Sequence, residues 1–220
     1  MQPPSLLSGL EPPRDCPHCP RLVALRHHLR TAQPDWWNAP VPAFGDPHAW
    51  LAVIGLAPGL RGANRTGRAF TGDHAGDLLF TTLARFGFTQ GRYDGSADDG
   101  LRLGGAIILN AVKCLPPKNK PSREEIRSCR PHLAGTLAAL PHIEVVVALG
   151  RIAHESVVEA LGERSSKMRF GHLARHSLPG RRLLIDSYHC SRYNTNTGRL
   201  TAAMFDAVFP QAIEFGKHSR

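Results

Sequence analysis

Apolar residues gather in four short continuous runs, at 51–55, 106–110, 145–149 and 183–186. A run without alternation is the pattern of a strand covered on both faces, as in a parallel sheet. Between the runs, the apolar positions change to helical spacing. Leu79, Leu83 and Phe86 form one stripe that stops at Gly87, and Leu200, Met204 and Val208 form another that stops at Pro210. Ile126, Leu133, Leu137 and Leu140 form a third, opened by Pro121 and by Ser122 and Glu125 at capping-box spacing. Residues 152–161 make a fourth, ended by Gly162, and a helix around 21–30 is expected to pack at the side. Strands alternating with helices predict an α/β fold, a three-layer α/β/α sandwich on a central four-stranded parallel sheet. Nothing in the chain repeats, so residues 1–220 are expected to form one domain, with the Pro-rich stretch 1–14 flexible.

Open parallel sheets bind ligands beyond the carboxyl ends of their strands. Here those ends run into Gly55-Leu56-Ala57-Pro58-Gly59, Asn110, Gly150-Arg151 and Asp186-Ser187-Tyr188-His189. Every strand must end in a turn, and turns favour glycine and short polar residues. Asn110 and His189 are not usual turn-formers in these contexts, so a site is expected there.

Composition narrows the partner. The chain has 220 residues and 42% hydrophobic content, enough to bury a sizeable core. Lysine and arginine outnumber acids 27 to 18, for a formal charge of +9 and a pI near 9.9. Such a surplus favours a polyanionic partner, although many proteins from arginine-using organisms are basic without one. No stretch approaches the roughly 20 apolar residues that span a bilayer, and the first residues lack the layout of a signal peptide. A cytoplasmic protein with no membrane partner is expected, and its five cysteines would stay reduced.

Reduced cysteines point to metal binding or catalysis. Cys16-Pro17-His18-Cys19 forms a tight pair, Cys114 follows the second strand, and Cys129 falls in a predicted helix. Two ligands on one turn with two from distant segments could hold a metal. Structural zinc more often uses two tight knuckles, and four thiolates also suit a [4Fe–4S] cluster. Spacing leaves zinc and iron–sulfur open. A redox pair at Cys16 and Cys19 is the weaker reading, because no strand precedes it.

Three segments carry a resemblance. The stretch from Gly55-Leu56-Ala57-Pro58-Gly59 through Asn64 to Arg68-Ala69-Phe70-Thr71-Gly72-Asp73 resembles the first motif of family 5 uracil-DNA glycosylases. Leu109-Asn110-Ala111-Val112-Lys113-Cys114-Leu115-Pro116-Pro117 is similar to the Asn-x-x-Lys-Cys-x-Pro-Pro block of families 4 and 5. His189-Cys190-Ser191-Arg192-Tyr193-Asn194 stands where those enzymes carry His-Pro-Ser-x-x-Asn. The matches follow in order over nearly the whole chain.

The resemblance implies a monomeric DNA-repair enzyme that removes uracil and other deaminated bases, hypoxanthine included, from DNA. It implies a [4Fe–4S] cluster on Cys16, Cys19, Cys114 and Cys129. A base buried in a duplex must be extruded to be cleaved. The substrate pocket would then comprise Gly55, Leu56, Ala57, Gly59, Phe70, Asn110, His189 and Asn194. Phe70 would stack on the base, Asn110 would read its edge, and His189 would donate to the departing O2. Several related families place an acid or asparagine where this chain has Ala57. The attacking water would then be oriented by Asn64 or Asp73, with Asn64 preferred, since Asp73 equally suits a helix N-cap. Lys118, Lys120 and Arg192 are candidate DNA contacts, and the basic run 164–182 is a second one. Cys190 replaces the usual proline and has no expected chemical role.

Two rivals remain at this stage: a family 4-like enzyme restricted to uracil, and a non-catalytic iron–sulfur protein that binds damaged DNA. A Rossmann-type nucleotide enzyme is more distant, because no Gly-x-Gly-x-x-Gly follows the first strand.

Overall fold

In the computed structural model, the described residues are 7 and 9–218. Along the chain come α1 (Pro20–Ala32), β1 (Phe44–Gly45), β2 (Leu51–Gly55), α2 (Ala63–Thr66), α3 (His74–Arg85), β3 (Thr89–Gln90) and β4 (Arg102–Leu103). Next are β5 (Ala106–Asn110), α4 (Arg123–Ala139), β6 (Val145–Leu149), α5 (Arg151–Ala160), β7 (Arg175–Leu178) and β8 (Arg182–Ser187). Helices α6 (Arg192–Asn196), α7 (Ala202–Asp206) and α8 (Val208–His218) complete the order.

The four continuous apolar runs are β2, β5, β6 and β8, and they pair in parallel. Alternate side chains of each strand enter different cores. Val53, Ile108, Val147 and Ile185 pack with α3, α7 and α8, whereas Ile54, Leu109, Ala148 and Leu184 pack with α4 and α5. That division is the three-layer sandwich in atomic terms, and it explains why the strands read as apolar throughout. The expected four-stranded sheet is corrected to six strands in the order β1-β5-β2-β6-β8-β7. Both added strands are antiparallel edges: β1 has two residues, and β7 reads Arg-His-Ser-Leu. An edge strand keeps one side in solvent, so it lacks the apolar signature of the interior ones. Strands β3 and β4 form a separate antiparallel pair.

The capping box of α4 is present: the Glu125 amide donates to Ser122 Oγ at 3.2 Å, and the Ser122 amide donates to Glu125 Oε2 at 2.7 Å. Helix α1 packs on the sandwich through Leu22 against Val112 and Cys129. Of the stretch expected to be flexible, residues 1–6 and 8 lie outside the described residues. Leu7 is buried in the core under α4 and α5, and Glu11 pairs with the buried Lys113. No helix among the described residues is long and apolar enough to cross a membrane.

Candidate active site

A cavity of 610 Å³ opens at the carboxyl ends of β2, β5, β6 and β8. Its floor depends on a missing side chain. Gly55 and Asn110 are neighbours across the β2–β5 ladder. A Cβ on Gly55 would lie 2.5 Å from both Asn110 Oδ1 and the Phe70 ring. Glycine at the end of β2 therefore lets the amide and the ring approach each other. Asn110 is 3% exposed, and its Oδ1 is buried without a hydrogen-bond partner. Leaving a buried acceptor unmet typically costs about 1–3 kcal/mol, so the carbonyl is poised for a ligand donor.

Phe70 lines the same cavity and stacks with His189, ring centroids 6.1 Å apart and planes inclined by 24°. Its φ is +56°, a left-handed conformation that costs a non-glycine residue about 1–2 kcal/mol. Such strain persists only where the surroundings over-determine it. His189 follows β8, and its Nδ1 has no partner. Burial pushes its imidazole below the usual value, against the opposing pull of the Asp73 charge, so the ring is neutral at neutral pH.

Asp73 both caps a helix and reaches the cavity. It is the N-cap of α3, where its Oδ1 accepts from the Gly76 amide at 3.1 Å. It also lines the cavity, and its Oδ2 faces the loop after β2, 2.8 Å from where a Cβ on Gly59 would stand. Leu56, Ala57 and Gly59 line the wall beside it. Small residues continue that wall at Ala63, Ala75 and Ala153, which no sequence motif marks as pocket positions.

Asn64 is not brought to the cavity. Its Nδ2 donates to Asn38 Oδ1 at 2.9 Å, and Asn38 in turn donates to the Leu29 and Gln33 carbonyls at the end of α1. Of the two residues expected near the water, Asp73 lines the cavity and Asn64 does not. Asn194 also stays outside the cavity lining, where its Nδ2 donates to the His189 carbonyl at 2.8 Å and straps the loop. Arg192 stands at the mouth of the cavity. Lys118 and Lys120 are exposed on the turn that also brings Asn119 to the rim. Tyr193 is 72% exposed next to Arg192. Cys190 is buried, its thiol donates to the Ala75 carbonyl at 3.5 Å, and burial raises its pKa, which suits an inert core residue.

The four remaining cysteines meet elsewhere. Cys16, Cys19, Cys114 and Cys129 line one small cavity between α1, α4 and the segment after β5. Burial raises Cys114 to about 12 and Cys129 to about 11, and neighbouring cysteines add to both shifts. Four thiolates in this place need a cation among them. Arg26 lines the cavity too, 5% exposed, with its Nε and one terminal nitrogen unpartnered. These orphaned donors fit a buried group rich in sulfur charge. Among the described residues, His154, His176 and Asp186 also bring three ligand atoms within 4.8 Å of one another. Ala57 packs against this cysteine centre and lines the main cavity, so the two sites share a wall.

The His154–His176–Asp186 group was not visible in sequence. His154 Nδ1 lies 2.7 Å from Asp186 Oδ1 and its Nε2 lies 2.9 Å from the Met168 carbonyl, so both ring nitrogens face acceptors. Burial opposes the charged ring, but the Asp186 hydrogen bond and charge outweigh it and raise the His154 pKa. His154 and Asp186 thus form a buried hydrogen-bonded pair. It fixes the basic segment after α5 to β8, three residues before His189.

Comparison with known proteins agrees with this geometry. The model of the uracil DNA glycosylase superfamily matches residues 42–212. The chain is 46% identical over 202 residues to the type-5 uracil-DNA glycosylase of Thermus thermophilus, covering 90% of this chain and 92% of that protein. It is 39% identical to the type-5 uracil-DNA glycosylase of Pyrobaculum aerophilum, covering 90% and 88%. The type-4 uracil-DNA glycosylase of the same archaeon is 34% identical over 129 residues, 58% of each chain. The chain belongs to the uracil-DNA glycosylase superfamily and, within it, to the type-5 uracil-DNA glycosylases.

Proposed function

We propose that this enzyme extrudes uracil, and with it other deaminated bases including hypoxanthine, from DNA and hydrolyses the N-glycosidic bond to leave an abasic site. The observation that carries the reading is the unpartnered, buried Oδ1 of Asn110 on the cavity that Phe70 and His189 also line. Uracil offers N3–H to that oxygen and O4 to the amide nitrogen. Hypoxanthine presents the same pair, N1–H and O6, which supports activity on both. The alanine-lined wall leaves room for its second ring.

Phe70 supplies a stacking face, worth roughly 1–3 kcal/mol per base. As the glycosidic bond lengthens, negative charge gathers on the base and positive charge on the sugar. A neutral His189 donates to the base oxygen without adding a cation beside that sugar. Asp73 Oδ2 is the group available to orient water and to face the positive sugar, which answers the missing polar group at Ala57. Lys118, Lys120 and Arg192 are read as phosphate contacts around the mouth. The chain is read as a monomer.

Cys16, Cys19, Cys114 and Cys129 are read as ligands of a [4Fe–4S] cluster, supported by the four thiols on one cavity and the orphaned Arg26 donors. Bound there, the cluster supplies a cross-link between α1 and α4. The test of function is a panel of duplexes carrying uracil, hypoxanthine or an undamaged base. Abasic product from the first two is expected. No product from uracil overturns the reading, and product from uracil alone makes the enzyme uracil-restricted.

A further inference from the structure

Phe70 holds a strained backbone, and the side chain two residues earlier shows what keeps it there. Arg68 is 7% exposed. Its terminal nitrogens donate to both Asp99 carboxylate oxygens, at 2.6 and 2.7 Å, and its Nε donates to Thr71 Oγ1 at 2.7 Å. The guanidinium carbon lies 4.9 Å from the ring centre of Phe44, 5.7 Å from Phe80 and 5.9 Å from Tyr93. Tyr93 in turn accepts from the Gly72 amide through its hydroxyl at 3.1 Å. Phe70 thus sits in a loop gripped on both sides, at Arg68 and Thr71 before and after it and at Gly72 beyond. Asp99 is fixed as well, since it accepts from the Leu101 and Asp94 amides.

We propose that Arg68 is a positioning residue for base recognition: its fork on Asp99 and Thr71 holds Phe70 left-handed, with the ring facing His189 across the cavity. The proposal rests on the reading of Phe70 as the stacking face. Only a guanidinium offers two parallel donors to a carboxylate and a third, from Nε, to a hydroxyl. The other reacting groups are held independently of it. Asp73 is anchored by the Gly76 amide, Asn110 by β5, and His189 by its place after β8 and the Asn194 strap.

That separation gives the test a signature that general destabilisation does not share. Stacking contributes to ground and transition states alike, and its loss raises KM with little change in kcat. Steady-state cleavage of uracil-containing DNA is measured for wild type, Phe70→Ala, Arg68→Gln and the double variant. Each single variant is expected to raise KM by about tenfold while kcat stays within about twofold. In the Phe70→Ala background, Arg68→Gln is expected to add no more than about twofold, because both changes remove the same contact. Asp99→Asn, a milder lesion of the same fork, should raise KM in the same direction with the same non-additivity. An unchanged KM for Phe70→Ala removes the stacking reading and this proposal with it. A raised KM for Phe70→Ala with unchanged values for Arg68→Gln and Asp99→Asn removes the proposal alone. Multiplicative effects in the double variant also overturn it.

Discussion

Asp73 offers one carboxylate oxygen to the Gly76 amide and turns the other toward the cavity, and the two roles can be separated by substitution. Asparagine caps a helix about as well as aspartate. Asp73→Asn should therefore leave the melting temperature near wild type while slowing single-turnover cleavage by about 10²-fold, the scale of one lost electrostatic group. Asp73→Ala should lose the rate and, in addition, about 1 kcal/mol of stability. Chemical-quench kinetics beside thermal melts would separate them, and equal rates for Asp73→Asn and wild type would remove its catalytic role. His189→Ala should cost about 10²-fold in the same assay, since it removes the one donor expected at the departing oxygen. The place of Asn110 and His189 on the cavity could be read from sequence because one ends β5 and the other follows β8, in positions that turn chemistry does not explain. The place of Asn64 away from the cavity was not legible because its partner Asn38 is 26 residues away, and no local pattern announces that bond.

Elements that bury both faces are the ones a sequence shows most clearly, and the four parallel strands could be placed from their apolar runs alone. β1 and β7, each wet on one side, could not. The pair of His154 on α5 and Asp186 on β8 was hidden for a different reason: a buried ion pair between distant elements has no sequence period. Its sign has a measurable consequence. A histidine whose folded pKa is raised contributes stability that is complete below its unfolded value near 6.5 and disappears as pH rises through the folded value. Wild-type stability should thus fall as the solution is taken upward from about pH 6.5, with a steeper slope than in His154→Gln. Urea titrations at several pH values would measure it, and parallel slopes would show that His154 is neutral in the native protein. Removing only the carboxylate, in Asp186→Ala, should destabilise by about 3–5 kcal/mol, because a buried partner is left alone.

At the scale of the molecule, the four cysteines bring the segment before α1 to α4 and the segment after β5, so on the cluster reading loss of the group should be felt well away from it. Cys114→Ser is expected to lower iron and sulfide content, lower the melting temperature and expose α1 to proteolysis, all read on one preparation. Full iron content in that variant would count against Cys114 as a ligand. Spacing along the chain left zinc and iron–sulfur open, since the four cysteines meet only where α1 packs against α4. The two ends of the sheet carry a last consequence. β1 offers only two residues for pairing, and β7 carries Arg175 exposed at its start. An open strand edge is a template on which a second molecule can add a strand. Among the described residues the two edges are thus short or charged, and concentrated solutions of the enzyme should resist strand-to-strand aggregation.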